Sequence, residues 1–324
     1  MKPKLSTMKS ETQSEFSVEA IRDRYKNRRS QKVQKKPSIF MGVWGDENTG
    51  KTTFSINCRT VDEIIDGKKV YIIDLDDNAE PIVDTYFSEE KDETVILFNN
   101  LKVLDEEGQI DDKKTEANLR GHIKMIYEDV KSNPEGTKAV IFDGLDSWLK
   151  ICENIMRDHE LKLDPTAKPS LFNWGLRNKR YLGLLIVFSQ IPCDRYVIAH
   201  DKEKKILVDK ELQTMGIIPD WEKKTPSMLS QIVQMTRHEE GITTRLSWKV
   251  LKSKINPTML GEHGDMLKVI GSKWTFNDPA EVIEKLRDTS HVRRNKANLN
   301  DNGQGGTNLP ETQKTPKSTK KVEF

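Results

Sequence analysis

The chain has 324 residues, with 53 Lys+Arg against 51 Asp+Glu, 35% hydrophobic and 32% charged residues, a balance expected of a soluble chain with a sizeable core. No run of 18 apolar residues exists and MKPKLSTMKSETQ at the start has no apolar stretch, which excludes a spanning helix and a secretory signal and predicts no membrane partner. Cys58, Cys152 and Cys193 are scattered, forming neither a disulfide framework nor the close pairs of a zinc site, so the expected setting is reducing: the cytoplasm, of a host cell if the source is viral.

The net charge of +2 is a cancellation. Residues 1–37 carry 11 Lys/Arg and 4 Asp/Glu, residues 287–324 carry 8 and 4, and residues 38–286 carry 34 and 43. An acidic body therefore lies between two basic ends. Residues 1–37 are predicted to be a partly disordered basic arm and linker, in which FSVEAIRDRYKNRR (16–29) could form a short amphipathic helix. Residues 288–324, rich in Asn, Gly, Thr, Lys and Pro, bury too little apolar surface to offset the entropy of ordering and are predicted to be a disordered basic tail.

Residues 38–287 read as one domain. SIFMGVW (38–44) is a continuous apolar run, as in a strand buried on both faces. A helix is expected over 51–65, strands at KVYIID (69–74) and TVILF (94–98), and a helix over 115–130. The strand KAVIFD (138–143) is followed by a helical region, 146–161, and a second helix, 171–190, with Ser170 as its cap. RYVIAH (195–200) is another strand, and a charged, irregular stretch runs to about Thr225. Residues 242–250 alternate apolar and polar, a strand signal, with 233–237 as partner across HEEG (238–241). DPAEVIEKL (278–286), with Asp278 as N-cap and Pro279 at the first helical position, closes the domain. Alternating strands and helices predict an α/β fold, a mainly parallel sheet covered on both faces, with a C-terminal β-hairpin region.

Gly45-Asp46-Glu47-Asn48-Thr49-Gly50-Lys51-Thr52 fits G-x-x-x-x-G-K-[ST], between a buried strand and a helix. There the glycines turn successive N–H groups toward phosphate oxygens, and the helix N-terminus adds partial positive charge. Residues 45–53, Thr53 included, are thus the candidate ATP cradle. Lys51 would reach the β- and γ-phosphates and Thr52 would ligate Mg²⁺. Asp143, ending an apolar strand, is the candidate second magnesium residue, against the bland reading of a surface Asp that ends a strand.

GDENTGKTT resembles the phosphate loop of the RecA recombinases, sharing Gly45, Glu47, Gly50, Lys51, Thr52 and Thr53 with GPESSGKTT. The order of the later elements, over roughly 38–257, is also similar to the RecA-like P-loop ATPases, phage-encoded recombination and annealing ATPases with an AAA domain among them. The resemblance implies a three-layer RecA-like core and further roles. YIIDLDD places Asp74 at the first acid and Asp76 at the position of the water-activating base, a Glu in the family. His200, ending YVIAH, takes the place of the γ-phosphate sensor. Lys252 and Lys254 resemble a lysine pair that reaches a neighbouring subunit's nucleotide, which implies a homo-oligomer, ring or filament. The bland readings are a solvated loop for Asp76, a structural histidine for His200 and edge-strand charges for the lysines.

The implied activity is Mg-dependent ATP hydrolysis coupled to single-stranded DNA in recombination, annealing or repair. The loops 161–170 and 201–226 are the candidate contacts, with Trp221 beside Lys223 and Lys224 placed to stack a base, unless Trp221 is a partly buried loop residue. The basic arm is a second candidate, either for phosphates or for an acidic neighbouring subunit. The alternative function is a nucleotide-dependent switch or assembly protein that does not act on DNA.

Overall fold

The structure, a computed structural model, describes residues 36–164, 166–208 and 211–290, with side chains described outside 206–212. The chain divides into units 1–287 and 288–324. Of the second, only 288–290 are described, where the Asp288 carboxylate accepts from the Ser290 amide and hydroxyl, each at 2.8 Å. The expected arm helix (16–29) and nearly all of the expected tail lie outside the described residues.

In chain order the elements are β1 (Phe40–Gly45), α1 (Lys51–Ile56), α2 (Val61–Ile65), β2 (Lys69–Asp74), α3 (Glu80–Tyr86), β3 (Val95–Phe98), α4 (Asp112–Ser132), β4 (Thr137–Asp143), α5 (Leu145–Asn154) with a π-turn (Ile155–Glu160), and α6 (Asn173–Ser189). β5 (Asp194–Val208), β6 (Glu211–Pro219), α7 (Thr225–Met228), β7 (Gln231–Glu240), β8 (Thr243–Ser253), a 3₁₀ turn (Pro257–Met259), β9 (His263–Ile270), β10 (Lys273–Phe276) and α8 (Pro279–Arg287) follow. The sheet order is β10-β9-β8-β7-β1-β5-β4-β2-β3. From β3 to β7 neighbouring strands are parallel, and β7 to β10 form an antiparallel meander.

The apolar run of β1 has a physical cause. Phe40 and Trp44 enter one core with Leu119, Ile123, Ile126 and Val130 of α4 and Trp148 of α5. Met41 and Val43 enter the other, with Phe54 of α1, Val83 of α3 and Ile283 and Leu286 of α8. Helices cover both faces, so a parallel strand cannot afford a polar side. The three-layer α/β expectation holds, and the expected C-terminal β-hairpin, β7 with β8, continues through β9 and β10 as a meander.

Four local expectations change. The helix over 51–65 is two helices. Asn57 ends the first by donating its amide to the Thr53 carbonyl at 2.9 Å, and Thr60 and Glu63 start the second with a capping box. Ser170 does not cap α6: its backbone carbonyl, not its hydroxyl, accepts from Asn173 N at 3.0 Å, and Phe172 holds the cap position. The stretch after His200 is not irregular over its described residues: β5 continues to Val208 and pairs antiparallel with β6 as a ribbon. Lys202, Glu203, Lys204 and Lys205 are all exposed, so neither face of this ribbon needs the alternation that signals a strand. Trp221 is 7% exposed and presses on β1, where a Cβ on Gly42 would meet its ring at 3.0 Å. A ring packed there cannot stack a base. Lys223 and Lys224 remain exposed.

A buried ionic cluster ties α8 to the amino-terminal ends of β4 and β5. Asp194 accepts from Arg287 Nη2 and from Ile39 N at 3.0 Å. Lys138 lies 2.6 Å from Glu63, 3.4 Å from Glu284 and 3.9 Å from Asp194.

Candidate active site

The strand order decides which side chains meet. β5 lies between β1 and β4, so the carboxyl ends of three neighbouring parallel strands open on one point, where open α/β sheets bind ligands. Gly45 pairs in register with His200, Asp143 with Ile198 and Asp74 with Asp143. The phosphate loop leaves β1 at that level and enters α1. Gly50 holds φ at +83°, a left-handed conformation that L side chains rarely adopt, and a Cβ there would lie 2.6 Å from Met266 Cε.

Within the loop, the Lys51 ammonium donates to the carbonyls of Gly45 at 3.0 Å and Asp46 at 2.6 Å. Burial pulls it below its ordinary value, while Asp143, Asp146, Asp201 and Asp46 oppose that shift. Thr52 Oγ1 donates to Asp143 Oδ2 at 2.6 Å, joining the two residues expected to share a magnesium ion. Glu47, Asn48, Thr49, Gly50, Lys51 and Thr52 line one cavity of about 500 Å³ with Asp76, Asp143 and His200. Thr53 lies outside it, on the neighbouring flank of α1.

Asp74 and Asp76 divide their roles by what they touch. Asp74 is fully buried and builds the turn into α3, accepting from Ala79 N at 2.7 Å and Asp76 N at 3.2 Å. Asp76 faces the cavity. Its Oδ1 accepts from the Ser147 hydroxyl, and its Oδ2 has no hydrogen-bond partner among the described residues. Burial raises its carboxyl above the usual range, with Ser147 opposing. This moves a candidate base toward the neutral pH at which it would work. Gly144, at φ +96°, makes room, because a Cβ there would stand 2.7 Å from Asp76 Oδ1.

Asp146 and Ser147 were not anticipated. Asp146 Oδ1 accepts from the His200 amide at 3.1 Å, and its Oδ2 lies 3.1 Å from His200 Nδ1. An Asp in the first turn of a helix reads by default as a partner of the helix dipole, which hides this use. Only Asp143-Gly144 just before it hints at a site. The Asp146 hydrogen bond raises the His200 imidazole above its ordinary value, against burial. The stabilisation from this pair is therefore full below the free-histidine value and is lost as pH rises through the raised one. In a nuclear magnetic resonance titration, the His200 ring protons, assigned with His200→Gln, are expected to titrate above pH ~6.5. Asp146→Asn should move that midpoint down.

The residues fit magnesium, a hard cation that takes oxygen ligands. Thr52 and Asp143 offer a hydroxyl and a carboxylate already in contact. Burial, with Asp74 and Asp76 nearby, pushes the Asp143 carboxyl up to about 7, as expected where negative charge is gathered for a cation.

Residues 38–254, two thirds of the chain, match the family model described as "AAA domain". The chain belongs to this family. No curated protein matches its sequence. Solved structures that resemble this family member include a KaiC-like protein of Pyrococcus horikoshii, at 13% identity and a TM-score of 0.41, covering 74% of this chain and 89% of that one. The RadB recombinase resembles it at 14% identity and a TM-score of 0.40, with 74% and 90% covered.

Lys252 and Lys254 are not brought into the cavity. β8 runs antiparallel to β7, and Lys252 stands level with Ile232, itself level with Gly42. That is the amino-terminal end of the sheet, opposite the loop. Lys252 donates to the Pro226 carbonyl and Lys254 to that of Ser227 at 3.1 Å. From there neither serves the phosphates of its own chain.

Proposed function

We propose that this AAA-domain chain is a Mg-dependent ATPase of RecA-like type that acts on single-stranded DNA. The observation that carries the reading is the Thr52–Asp143 contact inside the phosphate loop, in one cavity with Lys51, Asp76 and His200. Magnesium, when bound, would neutralise negative charge on the triphosphate. Lys51 and the loop amides hold the phosphates, and Thr52 and Asp143 hold the metal. Asp76, anchored by Ser147, orients a water and takes its proton. His200, anchored by Asp146, senses the γ-phosphate.

A role with DNA is supported by continuity. β5 carries His200 and runs directly into the exposed ribbon that bears Lys202, Lys204 and Lys205. A shift of His200 is thereby passed along one strand to these lysines, of which Lys202 pairs with Asp220 and Lys205 with Glu203. Against this stands the acidic body, so the contact is local. The test is hydrolysis by wild type and Lys51→Ala with and without single-stranded DNA at two salt concentrations. Stimulation that weakens steeply with salt supports the reading. Hydrolysis indifferent to any nucleic acid would leave the nucleotide-dependent assembly reading.

Assembly has its own test, on the reading that the lysine pair reaches a neighbouring subunit's nucleotide. Lys252→Ala with Lys254→Ala is expected to abolish any rise of specific activity with protein concentration, while nucleotide affinity measured at low concentration stays at the wild-type value.

A further inference from the structure

Asp76 in the turn after β2, Asp146 in the first turn of α5 and His200 on β5 form the one cluster of His, Cys, Asp or Glu among the described residues whose donor atoms converge, all within 4.8 Å of one another. Each carboxylate is oriented by its other oxygen. Asp76 commits Oδ1 to the Ser147 hydroxyl, and Asp146 commits Oδ1 to the His200 amide at 3.1 Å. Both are left with Oδ2 beside the imidazole: His200 Nδ1 lies 3.1 Å from Asp146 Oδ2 and 3.8 Å from Asp76 Oδ2. The Asp76 side chain is 10% exposed, and its Oδ2 is buried with no hydrogen-bond partner among the described residues. An acceptor left in that state costs free energy unless something satisfies it. His200 does not, since 3.8 Å is too long for a hydrogen bond. Lys51 gives its ammonium to the carbonyls of Gly45 and Asp46 instead.

The spacing suits a metal ion. Around a tetrahedral ion with ligands at about 2.1 Å, neighbouring donor atoms stand about 3.4 Å apart, and the two separations from Nδ1 bracket that value. Two carboxylates balance a divalent charge, and a neutral imidazole with its proton on Nε2 offers the Nδ1 lone pair. An imidazole among the donors disfavours Mg²⁺, which takes oxygen ligands, and favours Zn²⁺ or a similar transition ion. Hydrogen bonds that fix the ligating carboxylates from behind, as Ser147 does here, are the usual support of such a site. Three protein donors leave a fourth position open to the cavity that Asp76 and His200 line.

We propose that Asp76, Asp146 and His200 form a second divalent-cation site, separate from Thr52 and Asp143, which takes Zn²⁺ in preference to Mg²⁺ and whose occupation stops hydrolysis. The inhibitory effect rests on the ATPase reading above. An ion held there occupies Asp76 Oδ2, the free acceptor for the proton of the attacking water, and ties His200 to the metal in place of the γ-phosphate. Lys51, Thr52 and the loop amides are not used by it, so nucleotide still binds.

Titration of the nucleotide-free full chain with Co²⁺, which enters Zn²⁺ sites and reports its ligands in the visible spectrum, tests this. Wild type and Asp143→Asn are expected to develop the intense bands of four- or five-coordinate Co²⁺. Stoichiometric Zn²⁺ should bleach these bands, and excess Mg²⁺ should leave them in place. His200→Gln and Asp146→Asn should lose the bands while melting as cooperatively as wild type. Ser147→Ala keeps all three donors and should weaken Co²⁺ binding by about 10- to 100-fold, the usual cost of removing an outer support. It carries the test should a ligand variant fail to fold. With Mg·ATP present, Zn²⁺ should lower wild-type hydrolysis without displacing the nucleotide. Absence of the bands in wild type, their survival in His200→Gln or their loss in Asp143→Asn would overturn the site. Bands at full strength with hydrolysis untouched by Zn²⁺ would overturn its inhibitory role. A wild type that gives the bands yet binds no Mg·ATP would overturn the nucleotide reading and leave the metal site standing.

Discussion

Replacing Lys51 with Ala or Asp143 with Asn is expected to lower ATP hydrolysis by about 100- to 1000-fold, the usual cost of removing one preorganised charge-stabilising group. The two losses should differ in kind. Lys51 is the cation of the loop, and without it affinity for the triphosphate itself should fall. Asp143 holds the metal, so Asp143→Asn should keep nucleotide binding in the absence of Mg²⁺ and lose the gain that Mg²⁺ adds. Stability gives an independent readout with an opposite sign. The Asp143 carboxyl is pushed up to about 7 in the folded chain, above the value near 3.9 of a free Asp. Its folded form therefore binds more protons than the unfolded form between these values, and stability falls as pH rises through that window. Asp143→Asn cannot ionise, so without Mg²⁺ at pH ~8 it is expected to melt higher than wild type. Adding Mg²⁺ should raise the wild-type melting temperature and leave that of the variant in place. A variant that melts below wild type under metal-free conditions would show that Asp143 is held by contacts other than those described.

Asp194→Ala is expected to be the most destabilising single change at the other end of the sheet. Asp194 and Arg287 have side chains only 3% and 8% exposed. Burial favours the neutral guanidinium, yet Asp194 more than offsets this and holds the Arg287 group above its ordinary value. Removing the carboxylate leaves that cation with Glu284 alone, 3.2 Å from its Nε, and also frees Ile39 N, which donates to Asp194 Oδ1 at 3.0 Å just before β1. Breaking one partner of a buried pair costs about 3–5 kcal/mol, a melting temperature lower by on the order of 10 °C for a domain of this size. The double variant Asp194→Leu with Arg287→Met should recover much of the loss, because an apolar pair leaves no orphaned charge. If the single change melts within a degree or two of wild type, the cluster is solvated and α8 is held by Val282, Ile283 and Leu286 alone.

How much was legible in the sequence follows from how local each signal is. β2 was read over its observed span and β4 to within one residue, because strands buried on both faces must be apolar throughout. The ribbon of β5 and β6 was missed for the converse reason. Its described side chains, 202–205 and 213–217, are exposed along both strands, so no period of two is imposed. The meander strands β9 and β10 were also missed, since β9 is held by β8 and β10 by β9, and not by a pattern of their own. Trp221 looked like a base-stacking residue because its neighbours Lys223 and Lys224 are charged, yet Gly42, far off in the chain, leaves the gap that its ring fills.

The sequence alone determined the phosphate loop, the strands that deliver its partners and the parallel α/β class, since these depend on backbone conformation, apolar runs and the chemistry of Gly, Lys and Thr in a fixed spacing. Tertiary structure decided the rest of the site. Placing β5 between β1 and β4 brings His200 within reach of Asp146, and pairing β2 with β4 sets Asp76 against Gly144. Antiparallel β8 carries Lys252 and Lys254 to the far edge, and the meander folds Trp274 back beside α1. Each of these pairs residues that lie tens or hundreds of positions apart, and only the order of strands in the sheet can choose which of them meet.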